Sequence, residues 1–483
     1  MTSPDLPHVA PVPPSPEVEA DDQAVLRLLK GTDDSLPARQ ILRDRITATL
    51  REAFASFGFS PCETPILHYF DILASKYAGG AEILKETYKL IDQGGRELGL
   101  RYDLTVPFAR LVGMYHEGGI RLPFKRFEIG RVFRDGPVRA GRRREFYQCD
   151  VDMVGSPAPW PDAELMVLAA TVFERLGLDV RVELNHRRLL SAVVESCGVP
   201  ESTTGDAILS LDKLKKIGPD GVMAELQQKG LHAAAARELL ARLAPTGVEG
   251  NNAMLAHFEA AMAGYPPALE AINELRQILA TLDATGLPLR AVIEPTLARG
   301  LDIYTGPVFE FFLEKPELVD GAVAAGGRYD RIIESFLAEA ARREGRTLPP
   351  DLRFPTVGMS FGLEPLSIEL FAREERRHAE AKRRLPETVS EVLLVPLGTH
   401  ARAQAVAMRM RAAGVRVEVE TRSVKLKKAF QRADVLAIPF VAFLGDSELA
   451  ANVVTLKNQA TAEQVQVTPE EAARVVRAFL GGA

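Results

Sequence analysis

Apolar residues recur at helical spacing between residues 38 and 57, at Ile41, Leu42, Ile46, Leu50, Phe54 and Phe57. The spacing predicts a helix that ends at Gly58, before an extended, proline-punctuated run through Pro65. Around Arg121–Gly155 the period changes. FKRFEIGRVFR and REFYQCDVDMV alternate polar and apolar residues across the turn-rich DGPVRAG, which predicts a long antiparallel hairpin with a basic loop. Residues 189–285 are rich in Ala, Leu and charge and predict a helical module, for example LHAAAARELLARL. Strand patterns return at LRAVIEPT, PVFEFFLE and AVAAGGRYD, and VGMSFGLEPLSIELF reads as a strand running into a helix. Arg373–Arg384 reads as an exposed connector to a separate α/β unit. That unit predicts strand EVLLVP, helix 400–413 closed by Gly414, strand VRVEVE, a basic helix, strand 435–444, strand NVVTLK and a last helix. The last helix opens Thr468-Pro469-Glu470-Glu471, with an N-cap, a proline at the first position and a capping-box glutamate.

The 483 residues suggest three or four domains. A hydrophobic fraction of 46% and a charged fraction of 26% exclude a disordered, collagenous or membrane class. The longest strongly apolar stretch, Asp434 to Asp446, is interrupted by Pro439 and is short of the roughly 20 residues a bilayer requires. Cys62, Cys149 and Cys197 are scattered and form no CxxC pair, so neither a zinc site nor a disulfide framework is expected, and a reducing cytoplasm is the default. No Lys or Arg precedes Arg27, so a signal or transit peptide is not expected. Residues 1–22 carry six prolines and five acids and predict a disordered tail.

A formal net charge of −6 conceals a local asymmetry. Arg121–Phe146 holds nine basic residues against Glu128, Asp135 and Glu145, and Arg422, Lys425, Lys427, Lys428 and Arg432 form a second cluster. Two such clusters on an acidic chain point to a polyanionic ligand. Gly358-Met359-Ser360-Phe361-Gly362 fits the GxSxG pattern of a hydrolase elbow, but no Asp lies between Ser360 and His400, and repeating βα units are absent around it. The hairpin carries more chemistry. Arg134 and Arg142 could grip phosphates, Phe146 could stack on a base, and Gln148 and Asp152 share its face by the period of two. That set suits a nucleotide and a small amine.

These segments resemble the histidyl-tRNA synthetase family of class II aminoacyl-tRNA synthetases, of the eukaryote-like type. Lys30-Gly31-Thr32 with the following helix and Glu63-Thr64-Pro65 is similar to motif 1, and LRYDLTVPFAR to the amino-acid loop. FKRFEIGRVFRDGPVRAGRRREFYQCDVD is similar to motif 2, LARGLDIYTG and AAGGRYD to the histidine signatures, and VGMSFGLEPL to motif 3. The resemblance implies an α+β fold: an antiparallel-sheet catalytic domain (23–188 and 286–388) with a helical insertion (189–285) and a C-terminal α/β anticodon-binding domain (389–483). It implies ATP and Mg²⁺, histidine and histidine tRNA as ligands, and a homodimer. Asp103, Thr105 and Gln148 would bind the α-ammonium of histidine, Asp152 and Tyr304 its imidazole, and Tyr329 would line the pocket. Arg134 would grip the α-phosphate and Arg299 would neutralise charge developing there. Phe146 would stack on adenine, Arg142 would reach the phosphate tail, and Lys425, Lys427 and Lys428 would meet tRNA.

Departures at four positions stand out. Pro365 replaces the motif 3 arginine that holds the γ-phosphate, Ile303 replaces a pocket tyrosine, and Arg331 and Arg143 stand where glycine and tyrosine are usual. Arg331 is the first candidate for a compensating cation and Arg143 the second. The rival reading is a weakly catalytic paralogue that senses tRNA or regulates histidine biosynthesis.

Overall fold

The computed structural model describes residues 26–74, 84–138, 142–298, 303–381 and 384–481. The acidic tail expected at 1–22 lies outside them. Helix Pro37–Ser56 buries Leu42, Ile46, Leu50 and Phe54, the face its spacing predicts.

Strands β1 (Ser60–Pro61), β2 (Leu67–Tyr69), β3 (Lys89–Ile91) and β4 (Glu97–Leu100) precede the hairpin β5 (Phe124–Phe133) and β6 (Glu145–Val154). They are followed by β7 (Val180–His186), β8 (Arg290–Ile293), β9 (Pro307–Leu313), β10 (Ala324–Arg328) and β11 (Thr356–Gly362). Eight of these form one sheet in the order β1-β5-β6-β11-β10-β9-β7-β8, while β2, β4 and β3 form a small separate one. The large sheet is antiparallel except for its edge pairs β1–β5 and β7–β8.

Alternation divides the hairpin cleanly. Phe127, Cys149, Val151 and Met153 join a buried core with Phe54 and Phe173 from helices Pro37–Ser56 and Trp160–Arg175. The opposite face carries Arg126, Glu128, Gln148, Asp150 and Asp152. A slip of one residue would drive those charges into the core, so the burial pattern pins the register. The expected hairpin is present, paired from Phe124↔Val154 to Phe133↔Glu145.

Parallel neighbours β7 and β8 need a crossover, and six helices between Arg187 and Thr285 supply it. Leu226, Leu239, Phe258 and Leu275 of these helices belong to the same buried cluster as the sheet residues Phe309 and Phe311. The module is therefore continuous with the core of the large sheet.

Beyond it lie β12 (Val392–Pro396), β13 (Val417–Val419), β14 (Phe440–Leu444), β15 (Val454–Asn458) and β16 (Gln464–Val467), ordered β13-β12-β14-β15-β16. β12 is apolar throughout because both its faces are covered: Val392 and Leu394 pack in one cluster, Leu393 and Val395 in another. Three expectations change here. Helix Leu363–Glu380 continues through most of the expected connector. The strand expected at 435–444 starts only at Phe440, because Val435 ends a helix, Ala437 has φ 54° and Pro439 lacks a backbone donor. β16 is an additional strand. The expected cap of the last helix is present, with Glu471 N donating to Thr468 Oγ1 at 3.3 Å.

Candidate active site

Three adjacent strands make the floor of the site. Asp152 lies between Arg126 on β5 and Gly358 on β11, Asp150 between Glu128 and Ser360, and Gln148 between Gly130 and Gly362. A side chain at 358 would overlap Asp152 Oδ1. Glycine on both sides leaves the Gln148 amide uncovered by its cross-strand neighbours, and its Oε1 is buried without a hydrogen-bond partner.

Arg126 is 1% exposed. Its Nη2 stands 2.8 Å from Asp152 Oδ2 and donates to the Leu104 carbonyl at 3.0 Å, and its guanidinium lies over the Phe108 ring. The Tyr329 hydroxyl donates to Asp152 Oδ1. Next to this pair, Glu128 accepts from Arg101 Nη1 at 2.7 Å and from Thr64 N at 3.0 Å. Asp150 is different: its Oδ1 is buried and unpartnered. Burial, then the nearby Asp152 carboxylate, push its carboxyl high enough to hold a proton around neutral pH. Burial pushes the Asp152 carboxyl up as well, but Arg126 and the Tyr329 hydroxyl pull it back, so of the two Asp150 is the better place for the proton.

Asp103 and Thr105 sit at the start of helix Thr105–Tyr115. Asp103 Oδ1 accepts from Val106 N at 3.1 Å, and burial pushes its carboxyl up to about 6. Tyr304 is held across the site. Thr305 N donates to the Arg328 carbonyl at 2.8 Å, and Gly327 gives the Tyr304 ring its place, since a Cβ there would stand 2.8 Å from Cδ1. Gly326 and Gly327 lie within β10 and form no turn. Arg328 is buried against Asp162, which fixes the strand end carrying Tyr329. Ile303 packs half-buried with Tyr304 against an apolar cluster that holds Tyr102, Phe108 and Tyr329.

The other end of the hairpin gathers the arginines. Arg134 lies 5.0 Å over the Phe146 ring and donates Nε to the Tyr102 carbonyl at 3.1 Å. Arg142 Nη2 is 2.5 Å from both Glu86 oxygens, and Arg143 Nη1 is 2.8 Å from Asp33 Oδ2. Arg299 lies outside the described residues. Pro365 occupies the first turn of helix Leu363–Glu380, which starts as β11 ends. Arg331 follows the far end: β10 pairs Ala324 with Phe361 but Arg328 with Val357. Roughly 17 Å of strand separates that end from the Pro365 end. The preference for Arg331 as the compensating cation is thereby reversed. Arg143, three residues before Phe146, is at the same end as Pro365.

A cleft of about 820 Å³ opens at this end of the hairpin, lined by Arg131, Arg143, Glu145, Phe146 and Tyr147 and by Glu364, which ion-pairs Arg43. Ser360 lies inside β11 opposite Asp150, while His378 is on the following helix and His400 in the C-terminal unit. A nucleophile elbow is not formed. In the C-terminal unit Glu418 and Glu420 of the β13 end neutralise Arg422 and Arg432, whereas Lys425, Lys427 and Lys428 remain exposed.

Sequence reasoning missed Arg101, Arg126, Glu128, Asp150 and Glu86. The period of two that placed Gln148 and Asp152 on one face, applied to the first strand, would have placed Arg126 and Glu128 opposite them. Glu86 carried no such signal.

Against this geometry, a family model described as histidyl-tRNA synthetase matches residues 31–366. The chain belongs to the histidyl-tRNA synthetase family. A second model, an anticodon binding domain, matches residues 391–479. Histidine–tRNA ligase 1 of Bacillus cereus is 40% identical over 443 residues, 92% of this chain and 97% of the relative. Histidine–tRNA ligase of Wolinella succinogenes is 35% identical over 460 residues, 94% of this chain and 98% of that one. The crystal structure of histidyl-tRNA synthetase from Nostoc sp. PCC 7120 superposes with a TM-score of 0.76 at 26% identity, covering 94% of this chain and 100% of the other. The class II architecture expected for this family, an antiparallel catalytic sheet followed by a C-terminal sheet domain, is present here.

Proposed function

We propose that this protein is a histidine–tRNA ligase that activates histidine with ATP and transfers it to the 3′ end of histidine tRNA. The observation carrying this reading is the floor described above: Asp152, fixed between Arg126 and the Tyr329 hydroxyl, on the same strand face as an uncovered Gln148 amide. Asp103, Thr105 and Gln148 bind the α-ammonium, Asp152 and Tyr304 bind the imidazole, and Tyr329 orients Asp152. A carboxylate with fixed partners can require a ring N–H, and analogues without one leave it unsatisfied.

Arg134 binds the α-phosphate, Arg299 neutralises the charge that develops there as the family resemblance implies, Phe146 supports adenine, and Arg142 exchanges Glu86 for the phosphate tail. Arg134 loses basicity to burial and regains part of it from Asp103, so it stays cationic beside a site that receives anions. No cluster of three metal-ligating side chains exists among the described residues. Mg²⁺ would therefore arrive with the triphosphate, keeping waters and at most one or two carboxylates, of which Glu86 is at the phosphate end.

Lys425, Lys427 and Lys428 meet the tRNA backbone. A homodimer fits the exposed apolar face of the small sheet and the helix beside it, where Leu67, Tyr69, Ile91, Met114 and Tyr115 face solvent. No helix among the described residues is long and apolar enough to cross a membrane, and a cytoplasmic setting suits a tRNA substrate. No observation favours the paralogue reading. Histidine-dependent exchange of pyrophosphate into ATP, followed by charging of histidine tRNA, tests the proposal; a folded protein that performs neither would overturn it.

A further inference from the structure

Three carboxyls line the floor, and their charges are not treated alike. Glu128 is matched by Arg101 and Asp152 by Arg126, each at hydrogen-bonding distance. Asp150, 3% exposed between them, has no arginine of its own. Its Oδ1, the Gln148 Oε1 and the Asp152 Oδ2 are all buried without a hydrogen bond, but only the last has a cation against it, Arg126 at 2.8 Å. Asp150 and Gln148 are two apart on β6, so their acceptors share a face roughly 6–7 Å apart along the strand. A buried acceptor without a donor costs about 1–3 kcal/mol, and two adjacent ones mark a place where a ligand brings the donors.

We propose that Asp150 is a substrate-binding acid: together with Gln148 it receives the α-ammonium of the incoming amino acid and releases its own proton to solvent as that cation arrives. The inference rests on the histidine reading of the site and extends it by one residue. An ammonium supplies three donors and the positive charge that Asp150 lacks.

The groups around Asp150 decide when it ionises. Asp152 on β6, Glu128 on β5 and Asp103 before helix Thr105–Tyr115 oppose its anion. Arg126 on β5 and the Ser360 hydroxyl on β11 favour it, and the Tyr329 hydroxyl faces Asp152 instead. With burial the largest influence and the carboxylates adding to it, the free site holds the proton at neutral pH, and a bound cation reverses the balance. Binding that releases a proton strengthens as pH rises, until Asp150 is already ionised in the free protein.

The test is calorimetry of histidine binding to the full-length protein near pH 7.2 in buffers of different ionisation enthalpy. Wild type should release the larger part of one proton. Asp150→Asn should release little and bind about tenfold more weakly, having lost a charge-assisted contact. Ser360→Ala, a change the strand tolerates, should keep the release and move the rise of affinity to higher pH. Equal proton release and equal affinity in wild type and Asp150→Asn, or an unmoved profile in Ser360→Ala, overturns the inference alone. Absence of any histidine binding by folded wild type overturns the histidine reading and this inference with it.

Discussion

Gly358 stands directly opposite Asp152 across the β6–β11 ladder, and the Asp152 carboxylate occupies the space a side chain at 358 would need. The glycine of motif 3 is therefore a condition for the acid of motif 2. Gly358→Ala should push Asp152 away from Tyr329 and Arg126. We expect the histidine requirement of pyrophosphate exchange to rise at least about tenfold, with the ATP requirement changed by no more than about twofold. Parallel losses toward both substrates would show that Gly358 serves the fold as a whole.

Arg126 and Asp152 form a buried pair at 2.8 Å. Removing one partner strands the other charge, at a cost of about 3–5 kcal/mol. Arg126→Met should lower the urea midpoint of the catalytic unit accordingly, and Asp152→Asn in that background should recover part of the loss. A single variant with the wild-type midpoint would contradict the pairing.

At the phosphate end, Arg143→Ala should slow exchange on the order of 10²-fold, the scale expected for a lost charge clamp, whereas Arg331→Gly should leave it nearly unchanged. The contrast follows from the register of β10 on β11. ATP titrations of the two variants decide it, and the opposite ranking would rule out Arg143.

Lys425, Lys427 and Lys428 lie in a unit separate from the adenylation floor. Their joint replacement by alanine should weaken tRNA charging and reduce the salt slope of tRNA binding by roughly two units, while sparing exchange. Unaltered tRNA affinity would leave them an ordinary solvated helix face.

Glu420 is buried beside Arg422, whose hydrogen bonds hold its carboxyl down at about 2. A depressed carboxyl stabilises the fold above its unfolded value near 4.5, and the contribution disappears as pH falls through about 2. Hydrogen exchange of residues 392–444 should therefore be faster in Glu420→Gln than in wild type at pH 7, and the difference should shrink on acidification. A difference independent of pH would assign the effect to packing.

The sequence by itself determined the periodic elements and the order of the motifs. The helix at 37–56, the ten-residue hairpin strands and the capped last helix follow from local spacing, because side-chain direction repeats every 3.6 or two residues whatever the rest of the chain does. It also placed Gln148 and Asp152 on one face. The tertiary structure alone decided which strands lie beside that face. Pairing across the sheet joins residues more than 200 apart, such as Asp152 and Gly358, and no local period encodes it. The β10–β11 pairing put Arg331 at the end of β11 away from Pro365, and a backbone contact with Asp135 brought Glu86 to Arg142. Charges that look alike along the chain acquire different protonation and different partners only when burial removes water and the sheet fixes their neighbours.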